Sequence, residues 1–317
     1  PDLVIHTGDY HYRERCADPQ RCSNLDAARP PIGFGWEAWQ ADFFAPAAPL
    51  LAAAPWVLVR GNHENCDRGG EGWMRFLAPQ GYAACPRQQY RSDTRSRLET
   101  NHTGEAYHVD LGEDAGLVVL DTGAHEDWRA AEDVPEDLEM LRRQIAALLQ
   151  VDDSRRLWLL THKPIWYELL KPDAPATALQ AATRNALPEN LEMVLSGHVH
   201  AFCTLNFARN ADAEQYPSGR PAQVIVGGSG TQLEAQDPKS PYFEGQQPGS
   251  KERRKPAAFK HDGVAANASI VLNRFSFMLF ERERDGWRGR LLSPDGEAIT
   301  DCRLAKGSKQ MDCRFPD

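Results

Sequence analysis

Four separate stretches of the chain contain residues that bind cations in proteins, and each follows a short apolar run. They are Gly8-Asp9, Gly61-Asn62-His63-Glu64, Thr161-His162 and Gly197-His198-Val199-His200. Imidazole, carboxylate and amide groups suit cations such as zinc, manganese, iron or cobalt, rather than calcium or an all-thiolate zinc site. A single carboxylate among several imidazoles suits a bridge between two cations about 3.5–4 Å apart, the arrangement used for cleaving phosphoesters.

Buried strands are the elements that must position these groups. The runs at residues 2–7, 56–60, 157–160 and 193–195 are rich in apolar and β-branched residues, as strands covered on both faces are. Ligands of α/β proteins bind beyond the carboxyl ends of such strands. We therefore predict that the four stretches converge at one edge of the fold.

The rest of the chain alternates helix and strand patterns. An amphipathic helix is predicted from Pro135, and residues 106–110 and 116–121 resemble a hairpin pair. From Ser269 onward, apolar and polar residues alternate across Asp-Gly turns, which predicts antiparallel hairpins. Because we find neither an internal repeat nor a linker, we interpret residues 1–317 as one α/β domain.

Composition narrows the class of protein. Of the 317 residues, 26% are charged and 41% hydrophobic, which is typical of a soluble globular protein. The net charge of −9 argues against a broad nucleic-acid surface. The short basic run at residues 251–255 lies in a polar, Pro- and Gly-rich stretch and is interpreted as a solvated loop. No segment of the sequence is long and apolar enough to cross a membrane.

Cysteine usage indicates an oxidising compartment. Six of the seven cysteines form pairs that are close in sequence and lie in loop-like or turn-rich regions, which predicts three disulfides. Unpaired thiols are the alternative. Disulfides favour an exported protein, periplasmic or secreted. The predicted pairs are Cys16 with Cys22, Cys66 with Cys85, and Cys302 with Cys313, which leaves Cys203 as a buried free thiol.

The four stretches, in this order, resemble the calcineurin-like metallophosphoesterase superfamily, whose blocks are GD, GNH[DE], a lone His and GHxH. The resemblance extends from Gly8 to His200. Residues 8–12 also match the GDxxY form of the purple acid phosphatases, in which the tyrosine binds ferric iron. The resemblance implies a four-layer α-β-β-α sandwich of two mixed β-sheets flanked by helices. It also implies that hairpins at about residues 264–317 complete the second sheet.

The resemblance further implies a site with two metal ions, for which iron, zinc and manganese are the candidates. Asp9 would bridge the two ions, and Asn62, His162 and His198 would complete one of the two sites. His200 would bind the other ion. The implied ligands are Asp9, Tyr12, Asn62, His162, His198 and His200.

The implied reaction is the hydrolysis of a small-molecule phosphoester by a metal-bound hydroxide, with monoesters favoured over diesters. Asp9 and His63 are the implied catalytic residues. His63 would act as general acid toward the leaving group, a role worth about 10²–10⁴-fold in rate. Glu64 would orient His63 or a ligand histidine.

One block of the family has no counterpart here. An Asp normally lies on a strand before the GD block, whereas this chain begins inside a strand, at Pro1. We expect about forty further residues upstream, judged from the usual spacing of strands, to carry that Asp. The alternatives are a phosphodiesterase of the same family and a non-catalytic binding protein on this scaffold. A Ser or Cys hydrolase is disfavoured because the chain has no Gly-x-Ser-x-Gly elbow.

Further polar residues near these stretches have two interpretations each. His6 is interpreted as a hydrogen-bonded core residue rather than a ligand. His11 and Arg13 either reach the phosphate or form an exposed loop pair. Arg60 is predicted to pair with a carboxylate, since a buried guanidinium needs a partner. His125 either lines the substrate pocket or has a structural role.

Overall fold

The structure is a computed structural model of the chain. The predicted Cys16–Cys22 disulfide and the basic run at 251–255 lie outside the residues that it describes. Those residues are 1–13, 30–85, 104–149, 155–167, 175–208, 212–230, 232–233, 257–261 and 264–314.

The elements within these ranges alternate between strands and short helices. The strands are β1 (Val4–His6), β2 (Trp56–Leu58), β3 (Tyr107–Asp110), β4 (Ala115–Val119), β5 (Arg156–Leu160), β6 (Leu191–Ser196), β7 (Phe202–Phe207), β8 (Ala222–Val226), β9 (Ala257–His261), β10 (Val264–Leu272), β11 (Phe277–Glu283), β12 (Gly286–Leu292), β13 (Ala298–Ala305) and β14 (Met311–Arg314). The helices are α1 (Trp36–Trp39), α2 (Ala45–Leu51), α3 (Gly70–Phe76), α4 (Pro135–Leu149) and α5 (Ala178–Thr183), and Gln40–Phe44 joins α1 to α2 as a π-helical turn.

The larger sheet is mixed and, over the described residues, has the strand order β3-β4-β5-β6-β8-β7-β10-β9. Its central strands β4, β5, β6 and β8 are parallel to one another. The outer strands β3, β7, β10 and β9 pair antiparallel with their neighbours. The four parallel strands all have their carboxyl ends at the same edge of the sheet.

A second β layer lies against one face of this sheet. In the described part of the chain it consists of two pieces, the parallel pair β1-β2 and the antiparallel sheet β11-β12-β13-β14. Trp158 and Leu160 of the large sheet pack here with Val57, Leu291 and Leu304, all buried. Full burial of each such side chain contributes about 1.5–3 kcal/mol to folding.

Helices cover both outer faces. Helix α4 packs Leu141 and Ile145 onto the far side of the large sheet, together with Leu179 of α5. Pro135 opens α4 and acidic residues fill its first turn, which suits the positive end of the helix dipole. On the opposite side, the segment α1–α2 and helix α3 pack against β1 and β2 through an aromatic cluster. Its buried members are Tyr10, Trp39, Phe43, Trp73 and Met74.

The predicted four-layer α-β-β-α arrangement is therefore confirmed. The predicted helix from Pro135 is present, as are the β3–β4 hairpin and the hairpins across the two Asp-Gly turns. The predicted boundary of the second sheet needs a correction, because β10 belongs to the large sheet. β10 pairs with β7 and so covers an edge that would otherwise expose unpaired backbone groups. The hairpins of the second layer start only at β11.

Two of the three predicted disulfides are present in the described residues, Cys66–Cys85 and Cys302–Cys313. Cys203 is a buried free cysteine, as predicted. The Cys302–Cys313 bridge joins paired positions of β13 and β14. The Cys66–Cys85 bridge closes a segment that contains all of α3, immediately after the Gly61–Glu64 stretch.

We expect the double variant Cys66→Ala/Cys85→Ala to lower the free energy of unfolding by about 3 kcal/mol. The bridge spans 19 residues, so its loss gives the unfolded chain more conformational freedom. Urea denaturation under non-reducing conditions measures the change. Cys203→Ala is the control, since it removes a buried thiol but no cross-link, and equal stability of the double variant and the wild type would contradict the prediction.

Among the helices in the described ranges, none combines the length and the apolar character that a membrane span requires.

Candidate metal centre

The carboxyl ends of strands from both β layers meet at one place. Strand β1 leads directly to Asp9, and the chain after β2 leads to Asn62. From the large sheet, β5 leads to His162 and β6 leads to His198. The side chains of these four residues contact one another in the structure, as the convergence of the strand ends predicts.

Side-chain hydrogen bonds to backbone carbonyls hold the two layers close together at this point. The His162 Nδ1 donates to the carbonyl oxygen of Thr7 (2.8 Å), and the Thr7 hydroxyl donates to the carbonyl oxygen of Val226 (3.2 Å). Gly8 follows with a φ of 98°, and a Cβ there would lie 2.3 Å from His162 Nδ1. Only glycine combines this left-handed conformation with the close approach of the imidazole.

Asp9 itself has a backbone conformation that is uncommon for a residue with a side chain. Its φ is 57°, and its Oδ1 accepts a hydrogen bond from the backbone N–H of His63 (3.1 Å). A Cβ on Gly61 would lie 2.1 Å from the same Oδ1, so the carboxylate fits against bare backbone. Positive φ at non-glycine residues is concentrated at functional sites.

The carboxylate of Glu64 holds the turn around Asp9 in place by accepting hydrogen bonds from its backbone. It is fully buried and accepts backbone N–H groups of four residues, at distances of 2.8–3.1 Å. This differs from the expectation that Glu64 orients a histidine, because both oxygens are taken by backbone donors. Burial raises the pKa of Glu64 to about 8, with the nearby Asp9 adding to the rise and the N–H groups opposing it. The four donors belong to Asp9, Tyr10, His11 and Gly61.

Two imidazole nitrogens face the amide oxygen of Asn62. Its Oδ1 lies 3.0 Å from His162 Nε2 and 2.9 Å from His198 Nδ1. A neutral His162 has its proton on Nδ1, which donates to the Thr7 carbonyl, and a neutral His198 has its proton on Nε2, which lies 2.8 Å from Asp127 Oδ2. In the neutral form of each ring, the nitrogen near Asn62 therefore carries a lone pair.

The Asp9 carboxylate completes this set of donors. Its Oδ1 lies 3.4 Å from His162 Nε2, and one ligand atom from each of Asp9, His162 and His198 lies within 4.8 Å of the other two. Two imidazole nitrogens, an amide oxygen and a carboxylate oxygen form a ligand set for zinc, manganese or iron. The residues present therefore fit a cation of this kind.

The protonation states also suit a cation. Burial lowers the pKa of His162 to about 4, although Asp9 opposes the change, so this ring is neutral at neutral pH. Burial alone would raise the pKa of Asp9, but the imidazoles of His162, His63 and His198 hold it well below its usual range. A neutral imidazole and an ionised carboxylate are the forms that bind metals.

Tyr12 and His200 lie on the other side of Asp9. The Tyr12 hydroxyl donates to Asp9 Oδ2 (3.0 Å) and lies 3.0 Å from His200 Nε2. Burial, with Asp9 adding to the effect, raises the pKa of the Tyr12 hydroxyl far above its usual value. The two oxygens of Asp9 thus face two separate groups of side chains, one around Asn62 and one around Tyr12.

His63 lies beside the converging donor atoms rather than among them. Its ring packs against the Tyr12 ring, with 4.1 Å between centroids. The Arg68 guanidinium approaches the same imidazole, with Nη2 2.7 Å from Nδ1. The structure thus places an imidazole and a guanidinium together at the edge of the site.

The structure also decides between the interpretations of the neighbouring residues. His6 stacks on Tyr10 and has a supporting position, as predicted. His11 is fully buried against the Gly33 carbonyl and Arg13 pairs with Asp42, so the exposed loop pair is wrong, as is a phosphate contact of His11. The remaining two are Arg60, which pairs with Asp121 as predicted, and His125, which is fully buried and bonded to the Thr122 carbonyl rather than lining a pocket.

Three residues at the site were not predicted from the sequence: Arg68, Asp127 and Lys163. Asp127 contacts both His198 (2.8 Å) and the Lys163 ammonium (3.2 Å). The available signals were weak. Lys163 directly follows His162, and Asp127 follows the end of a buried strand by a few residues, in a loop whose path no periodicity predicts.

Two of three comparisons with known proteins find a match. A sequence model described as calcineurin-like phosphoesterase matches residues 1–202. A search of curated proteins finds no match. One similar solved structure is a purple acid phosphatase, PPD1, isolated from yellow lupin (Lupinus luteus) seeds, with a TM-score of 0.49 and 15% sequence identity. The similarity covers 96% of this chain and 46% of that protein, so the chain spans about half of its length.

Proposed function

The chain belongs to the calcineurin-like phosphoesterase family, and from this we propose that it hydrolyses small-molecule phosphoesters with the help of two bound cations. One observation carries the proposal. His162 Nε2 and His198 Nδ1 converge on the oxygen of Asn62, with the Asp9 carboxylate alongside. Imidazole nitrogens, an amide oxygen and a carboxylate oxygen that converge in this way form a donor set for a cation such as zinc, manganese or iron.

We assign Asp9 as the residue between the two cations, because its two oxygens face different groups. Asn62, His162 and His198 would hold one cation through their converging donor atoms. His200 and Tyr12 would hold the other, next to Asp9 Oδ2. When bound, the two cations supply a water of lowered pKa as nucleophile and neutralise charge on the phosphoryl group.

His63 would donate a proton to the leaving oxygen. It lies next to Tyr12 and adjacent in sequence to Asn62, and its ring is beside the converging donor set rather than part of it. Its backbone N–H binds Asp9 Oδ1, which fixes the position of the residue relative to the site (3.1 Å). A histidine held beside the site in this way is suited to general acid catalysis.

The position of Arg68 favours monoesters over diesters. A guanidinium binds phosphate oxygens by charge-assisted hydrogen bonds, and a monoester carries more negative charge than a diester. Arg68 lies against His63, the proposed general acid. We therefore propose a phosphomonoesterase, with a phosphodiesterase as the alternative within the family.

We further propose an exported enzyme, periplasmic or secreted, because two disulfides lie in the described part of the chain. Iron, zinc and manganese are the candidate cations, and the substrate is a small molecule rather than a nucleic acid.

The proposal is tested by assaying the purified, disulfide-intact protein with zinc, manganese or iron added singly and in pairs. We expect hydrolysis of p-nitrophenyl phosphate that is faster than that of bis-p-nitrophenyl phosphate, is lost with a chelator and persists with a thiol reagent. Metal binding without hydrolysis of either substrate would favour a non-catalytic binding protein. A preference for the diester would overturn the monoester assignment alone.

A second prediction concerns the role of Tyr12. If it binds ferric iron, the iron-loaded protein should show a visible phenolate-to-iron absorption band, and Tyr12→Phe should remove the band completely. The change deletes the hydroxyl that contacts Asp9 and His200 but keeps the ring that packs on His63. Tyr107→Phe is the control, since the Tyr107 hydroxyl binds the Leu58 carbonyl on β2. A band that survives in Tyr12→Phe contradicts the assignment.

A further inference from the structure

Asp127 connects a ligand histidine to a buried lysine. Its Oδ2 lies 2.8 Å from His198 Nε2, and its Oδ1 lies 3.2 Å from the Lys163 ammonium. We infer that Asp127 is a positioning residue that fixes His198 as an Nδ1 ligand, and that Lys163 fixes Asp127 in turn. The inference rests on the proposed cation site, to which it adds the groups that set its affinity.

The contact with Asp127 determines which His198 nitrogen is free to bind. A carboxylate accepts hydrogen bonds only, so the proton of a neutral His198 must be on Nε2. The lone pair is then on Nδ1, which lies 2.9 Å from the Asn62 oxygen. Without the carboxylate, a neutral imidazole could carry its proton on either nitrogen, and the tautomer protonated on Nδ1 cannot bind the cation.

His198 depends on this contact for more than its tautomer. The residue has a φ of 65°, follows strand β6 in a turn, and its side chain is 27% exposed. On one side its ring meets the edge of His162, with 5.1 Å between centroids. The bond to Asp127 holds Nε2, on the far side of the ring from Asn62, so it restricts the rotation of the imidazole.

Lys163 explains why Asp127 stays in place. Its side chain is nearly fully buried, and the ammonium donates to the His125 carbonyl oxygen (2.6 Å) as well as to Asp127. A buried ammonium is stable only with such partners, so the Lys163 charge stabilises the Asp127 carboxylate in this position. Lys163 directly follows His162 in the chain. One short segment therefore supplies both a proposed cation ligand, His162, and the lysine that holds Asp127 in place beside His198.

The test compares Asp127→Asn and Asp127→Ala with the wild type and with Glu126→Gln. Glu126 is the matched control, because its carboxylate is adjacent in sequence but pairs with Arg129. The dissociation constant for Zn²⁺, measured by competition with a chromophoric chelator, should rise about 10–100-fold in both Asp127 variants. It should be unchanged in Glu126→Gln.

A second readout separates positioning from a general loss of structure. Nitrogen-15 spectra of metal-free, histidine-labelled protein report the tautomer of each imidazole. We expect His198 to be protonated on Nε2 in the wild type and to become a mixture of tautomers in Asp127→Asn, while the His162 signals remain unchanged. An unchanged His198 tautomer or an unchanged Zn²⁺ affinity in Asp127→Asn overturns the inference. Failure of the wild type to bind any cation overturns the proposed function instead, since the tautomer readout needs no metal.

Discussion

Replacing Asp9 by Asn is expected to lower the rate of phosphoester hydrolysis by about 10³-fold or more. The two oxygens of Asp9 face the two groups of donor side chains, so the loss of its negative charge weakens both halves of the proposed site. The variant should retain less than one cation per chain where the wild type retains two. Metal analysis after gel filtration, together with the turnover of p-nitrophenyl phosphate, measures both effects.

Folding should not explain this loss. Asn can still accept the hydrogen bond from the His63 backbone N–H, and the left-handed backbone at position 9 is better tolerated by Asn than by most residues. The thermal unfolding temperature of the metal-free variant should therefore match that of the metal-free wild type. Asp114→Asn is the control, because it removes a carboxylate that pairs with Arg282 at the surface. Full metal content in Asp9→Asn would contradict the bridging role.

The His63→Ala variant should keep its cations but lose about 10²–10⁴-fold in rate for substrates with a poor leaving group. An alkyl alkoxide needs a proton as it departs, whereas p-nitrophenolate is stable without one. We therefore expect a much smaller loss with p-nitrophenyl phosphate than with an alkyl phosphate. The ratio of the two rates, measured in wild type and variant, isolates the proton transfer from other effects of the substitution.

Two results would remove His63 from this role. One is an equal loss for both substrates, which would indicate binding of the phosphate rather than proton transfer. The other is a loss of metal, which would make His63 a ligand. The control is His108→Ala on β3, a partly exposed histidine near Asp110 and Arg155.

The convergence of the strand ends was predictable because it follows from local patterns. Buried strands show as β-branched apolar runs, and parallel strands present their carboxyl ends at one edge, so Asp9, Asn62, His162 and His198 could be placed together without coordinates. The hairpins at the two Asp-Gly turns follow from equally local signals. The pairing of β10 was not predictable, because a strand's own sequence does not specify which edge it joins.

The surroundings of the site were harder to predict than the site. The loop after β4 brings Asp127 to His198, and Lys163, which contacts Asp127, follows a different strand. Neither position leaves a periodic signal in the sequence. Glu64 was assigned the wrong partner for a related reason. A carboxylate next to a histidine in sequence suggests a carboxylate–histidine pair, whereas the tight turn at Asp9 presents backbone N–H groups that a buried carboxylate must satisfy first.

The proposed ligands are divided between the two β layers, and this division has a consequence for how the protein is assembled. Tyr12 and His200, whose side chains meet at Asp9, are 188 residues apart in the chain. In a nascent or refolding chain the proposed site is therefore incomplete until the two β layers have packed together, and we expect the proposed cations to bind last. We expect added Zn²⁺ to leave the refolding rate unchanged and to slow unfolding, because the ions would bind residues of both layers and stabilise only the folded state. Acceleration of refolding by Zn²⁺ would show instead that the ions bind before the two β layers have packed together.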